Sequence, residues 1–94
     1  MILTMIEQPS ICIPYVMNNI SKTYIKDVFK SLNLGIINKI DCKYKKNYKM
    51  IYIHFKEWNS SVKASNIKNK LLNGEMIYII YNSGIWKCSL SIKN

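Results

Sequence analysis

Arginine is absent from this chain of 94 residues, and acids are few. All 14 basic residues are lysine, against five acids, Glu7, Asp27, Asp41, Glu57 and Glu75, for a formal net charge of +9. Without a guanidinium fork, bidentate reading of guanine is excluded. Lysine still holds phosphate as a point charge, so any hold on a polyanion rests on salt-sensitive backbone contacts. Cysteine is scarce and scattered: Cys12, Cys42 and Cys88 form no Cys-x-x-Cys pair, which argues against a zinc ribbon or redox pair. Each lies in an apolar run and reads as a free thiol of a reducing, intracellular compartment. No apolar run approaches the roughly 20 residues of a membrane span. Residues Met1–Glu7 lack the basic start and long apolar stretch of a signal peptide. There is no glycine-rich phosphate loop, no paired-carboxylate motif and no nucleophile–base pair, so no enzyme and no cofactor is expected.

What is abundant is isoleucine, asparagine and lysine, together 42 of the 94 residues. That bias fits an AT-rich coding genome. It does not explain the charge, because acidic codons suit such genes too, and the shortage of acids therefore favours a polyanionic partner. With 49% hydrophobic and 20% charged residues, the composition is that of one globular domain. Residues 1–9 read as an N-terminal arm and 10–92 as the folded core.

The strongest local signal is Tyr48–Phe55. Ile51, Ile53 and Phe55 alternate with Met50, Tyr52 and His54, the period of a strand buried on one face. The outward set is large, flat or soft, where ordinary polar residues would serve. Ser10–Val16 is a second strand, with Ile11 and Ile13 inward and Cys12 outward. Ser21 caps a helix whose Ile25, Val28, Phe29 and Leu32 form an apolar stripe, and Gly35 is expected to stop it. A strand follows from Ile36 to Tyr44, irregular near Asn38 and Lys39, with Ile37, Ile40 and Cys42 buried. Glu57–Ser61 reads as a loop with Asn59 or Ser60 as the next cap. A second helix uses Val62, Ala64, Ile67, Leu71 and Leu72. Strand runs Met76–Tyr81 and Ile85–Ile92 flank an Asn82-Ser83-Gly84 turn. The expected class is α+β: a ferredoxin-like split βαβ plan (βαββαβ), with a four-stranded antiparallel sheet, both helices on one face and an extra short hairpin strand before the last strand.

At this point the chain resembles the RNA-recognition motif over about residues 10–92. Ile11–Val16 occupies the place of that family's hexamer and Tyr48–Phe55 that of its octamer. Leu32–Ile37 resembles the family's helix-glycine-strand junction, and Leu71-Leu72-Asn73-Gly74 the end of its second helix. Ser10–Pro14, Ile53–Trp58 and Trp86–Ser89 are similar to small RNA-recognition-like proteins of large nucleocytoplasmic DNA viruses, which implies host cytoplasm or virion. The family's three base-stacking positions fall on Cys12, Met50 and Tyr52, of which only Tyr52 is aromatic. Lys49 replaces the octamer's glycine and Tyr48 its leading basic residue. The acylphosphatases, a related fold group, rely on a catalytic arginine that this chain lacks.

The resemblance implies a module that binds single-stranded RNA with low sequence specificity. Tyr52 would stack, Met50, His54 and Cys12 would flank it, and Lys43, Lys45, Lys46, Lys49 and Lys87 would hold phosphates. Four to six such lysines imply a log–log salt slope of about −3 to −4. Two other readings stand beside it. One is a protein-interaction or homodimer module using the eroded sheet face; the other is a basic protein coating a genome non-specifically. No membrane partner and no metal are expected: His54, the only histidine, cannot complete a zinc site with these cysteines.

Overall fold

The computed structural model describes residues 8–82 and 84–91. The elements run β1 (Ser10–Met17), α1 (Lys22–Leu32), β2 (Gly35–Tyr44), β3 (Tyr48–Trp58), α2 (Val62–Leu72), β4 (Ile77–Tyr81) and β5 (Gly84–Ser91). The class is α+β, and the strands form one antiparallel sheet in the order β2-β3-β1-β5-β4. The sheet therefore has five strands, not four. β4 pairs with β5 along its whole length and forms an edge of the sheet.

β3 is the organising strand because its apolar period is unbroken. Ile51 pairs with Ile13 and Ile53 with Ile11, and all four are fully buried. Each such side chain contributes on the order of 1.5–3 kcal/mol, an upper bound set by the extended-chain reference. Ile25 and Phe29 of α1, Ala64 and Leu71 of α2, and Trp86 and Cys88 of β5 complete the same core. Both helices thus cover one face and leave the other open.

The helix ends differ from expectation in instructive ways. Ser21 does cap α1, accepting from the Tyr24 amide at 3.0 Å. Asn33, not Gly35, closes that helix: it takes the left-handed conformation (φ 55°) that asparagine tolerates better than most residues. Gly35 instead opens β2 opposite Trp58, where a Cβ would lie 2.3 Å from the Glu57 carbonyl oxygen and 2.7 Å from the Trp58 Cα. β3 runs on to Trp58, so Ser61, rather than Asn59 or Ser60, caps α2. Val62 and Leu72, expected in the apolar stripe of α2, are exposed; Ala64, Ile67 and Leu71 make the contact with the core.

Register shifts decide which way side chains point. Between the pairs Ile13–Ile51 and Val16–Lys49, β1 has one more residue than β3. This bulge at Pro14–Tyr15 turns Tyr15 outward and returns Val16 to the core. β2 carries two further shifts around Ile37, and the one at Asn38 lets Ile37 and Ile40 both face inward.

Gly35→Ala tests the β2–β3 approach. The added methyl must push two backbones apart, so unfolding in urea is expected to show a loss of about 1–3 kcal/mol.

Candidate nucleic-acid interface

The open face is a grid of side chains set by strand register. One row runs Asp41, Tyr52, Cys12, Ser89 across β2, β3, β1 and β5. On one side of it, Lys43 pairs with Met50, and Lys87 with Tyr78 of β4. On the other side lie Lys39, His54, Ser10 and Ser91. Tyr52, Met50 and Cys12 therefore do share the face, and Lys43 and Lys87 flank it. Lys45 and Lys46 sit in the β2–β3 connection at its end, where the Lys45 amide donates to the Tyr48 carbonyl at 2.8 Å. The Tyr52 hydroxyl points along the strand toward the Met50 sulfur, 4.0 Å away.

Two aromatic residues join this face that sequence reasoning passed over. Tyr15 and Tyr48 stack with ring centroids 5.0 Å apart and planes 24° apart. Tyr48 is outward by the same alternation that exposes Tyr52. Tyr15 reaches it only because of the bulge, and is 58% exposed. The alternation could have found Tyr48; no pattern in β1 announces Tyr15. The aromatic surface lies at one end of the face, beside the lysine-bearing connection.

His54 is held rather than free. Its Nε2 lies 2.9 Å from Asp41 Oδ2 and its Nδ1 lies 2.7 Å from Ser10 Oγ. Asp41 as a carboxylate can only accept, so Nε2 carries a proton, and Nδ1 shares a hydrogen bond with the Ser10 hydroxyl. Lys39 adds its ammonium 3.9 Å from the same Asp41 oxygen. A Ser–His–Asp chain suggests a nucleophile. However, this one crosses an open sheet face; two grooves among the described residues lie elsewhere, one between α1 and β2 beside Lys22 and Lys26, the other beside Tyr24 and Tyr81. With both ring nitrogens engaged, His54 fixes the rim of the face and has no nitrogen left for phosphate.

Lys49 does not belong to the face. It follows the inward parity of Ile51 and Ile53 and is 3% exposed. Its ammonium reaches the Asn18 carbonyl at 3.4 Å and bonds the Ile20 carbonyl, tying β3 to the β1–α1 loop. Burial of a charged group is tolerated where hydrogen bonds replace water. Tyr44, opposite Lys49, sits 5.8 Å from that ammonium and turns away from the open face too. Trp58 and Trp86 are structural. Trp58 Nε1 donates to the Pro9 carbonyl at 2.9 Å, and Trp86 is sandwiched between Tyr81 and Phe29. Lys22, Lys26 and Lys30 lie on α1, Lys63, Lys68 and Lys70 on α2, and Lys56 on β3, so positive charge is not confined to the open face.

The three cysteines are free. Cys12, half-buried, has its thiol pKa raised by burial. Cys88 is pushed up to about 12, by burial first and by the neighbouring Cys12 second. Among the described residues no group of three or more His, Cys, Asp or Glu side chains could hold a metal ion, and no helix is long and apolar enough to cross a membrane.

The Cys88 shift has a defined sign. A raised folded pKa favours the protonated thiol, so its contribution is complete below the ordinary value of 9.0 and lost as pH rises toward about 12. The stability advantage of the native chain over Cys88→Ala should stay constant up to pH 9.0 and shrink above it, read as the difference between urea midpoints.

No protein-family model matches this chain, and no curated protein and no solved structure matches it significantly.

Proposed function

We propose that the chain is a small RNA-recognition-type module, with a ferredoxin-like split βαβ core, that binds single-stranded RNA on its open sheet face with little sequence specificity. The observation that carries this reading is the combination on one surface of Tyr52, the stacked Tyr15–Tyr48 pair and four exposed lysines, Lys43, Lys45, Lys46 and Lys87. The one acid in the described rows of that face, Asp41, is occupied by His54 and Lys39.

The mechanism follows from those groups. Bases have two flat faces of any sequence, and aromatic rings accept them without reading their edges. Tyr52 stacks one base near the centre of the sheet. Tyr15 and Tyr48 offer a second platform toward the lysine connection, which compensates for the absence of aromatic rings at Cys12 and Met50. The lysines hold phosphates on either side of that line, and without arginine they add affinity rather than base discrimination.

A fluorescence-anisotropy titration with a mixed-sequence single-stranded RNA tests this. Four lysines imply a log–log salt slope of about −3. Tyr52→Ala and Tyr15→Ala should each cost about 1–3 kcal/mol of binding. Lys49→Met should leave the slope unchanged while lowering the unfolding midpoint, because its charge is spent inside the fold. Binding that ignores salt, or that survives Tyr52→Ala intact, overturns the assignment, and equal affinity for duplex DNA favours a genome-coating role instead.

A further inference from the structure

The two edges of the sheet are treated very differently by the sequence. β2 is guarded: it has two register shifts and carries Lys39 and Lys43. Such features discourage a second chain from pairing with an edge. β4, the opposite edge, reads Ile77-Tyr78-Ile79-Ile80-Tyr81, with no charge, no proline and no bulge against β5. Its outward residues Tyr78 and Ile80 are 60% and 76% exposed, and Ile85 beside Ile80 is 61% exposed.

This strand is complementary to itself. Run antiparallel to a second copy about Ile79, it sets Tyr78 against Ile80 of the other chain, and Ile80 against Tyr78. Aromatic–β-branched pairs of this kind are among the favourable cross-strand neighbours. On the inner side Ile77 meets Tyr81 and Ile79 meets itself. A two-fold axis normal to the sheet generates this pairing, the closed symmetry expected of a self-associating patch. We infer that the chain forms a homodimer by antiparallel β4–β4 pairing, which joins two sheets edge to edge with both open faces on the same side.

The charge pattern adds a signature. Each chain carries +9, so association works against net repulsion. The nearest lysine on the open face, Lys87, lies one strand in from the edge. The two Lys87 side chains of a dimer are then three strand spacings apart, about 14 Å, which is within the Debye length of about 30 Å at about 0.01 M salt and beyond that of about 8 Å at physiological salt. Raising salt should therefore tighten the dimer, whereas the RNA contact weakens with salt. The dimer does not rest on the RNA-binding reading, and the opposite salt responses keep the two apart.

Sedimentation velocity on the full chain across the micromolar range, at low and high salt, tests the dimer. The native chain should sediment at twice the mass of one chain, increasingly so at high salt. Ile80→Lys, a change at an exposed position, should halve that mass while leaving the circular dichroism spectrum unchanged. Tyr78→Lys should do the same. A native chain that stays monomeric throughout overturns the proposal, and so does a dimer that persists unchanged in both variants.

Discussion

Everything positioned on this protein depends on one contact layer, the four isoleucines that β1 and β3 present to the helices. Ile11 against Ile53 and Ile13 against Ile51 leave no freedom of register, because a slip of one residue would move the whole set to the open side. Once they are buried, Met50, Tyr52 and His54 must face outward. The open surface is therefore a by-product of core packing, and its composition is where function enters. The same layer explains Lys49. It continues the inward row past Ile51, opposite the buried Val16, and satisfies its ammonium on the carbonyls of the loop above.

Departures from regular pairing then reshape the two faces. The extra residue at Pro14–Tyr15 takes one aromatic side chain out of phase and delivers it to Tyr48. The shifts along β2 keep Ile37 and Ile40 in the core and leave that edge irregular. Asp41, His54 and Ser10 cross three strands and make a polar rim, which limits the apolar and aromatic part of the surface to the other end. The face is thus graded, from a hydrogen-bonded border to stacked tyrosines beside a basic connection.

Much of this was legible in the residues. The period of Tyr48–Phe55, the serine cap at Ser21, and the alternation of Trp86 and Cys88 with Lys87 and Ser89 each place an element and its buried side. The outward set around Tyr52 follows from the same alternation, and Lys49 could have been read as inward by it. Other features needed three dimensions. Bulges have no local signature strong enough to show that Tyr15 turns outward. Gly35 looked like a helix stop because glycine serves both there and where two backbones approach closely. Val62 and Leu72 satisfied an apolar period yet stay exposed, because α2 meets the sheet along a narrow line. His54 looked available until Asp41 and Ser10 were found beside its two nitrogens.

The central claim is that the open sheet face receives single-stranded RNA. Amide chemical-shift mapping of the isotope-labelled chain, titrated with a short mixed-sequence RNA, tests it most directly. The account predicts shifts centred on Tyr15, Tyr48, Tyr52 and the Lys45–Lys46 connection, with the helix amides nearly still. Shifts confined to the groove beside Lys22 and Lys26, or no shifts at all, would contradict it.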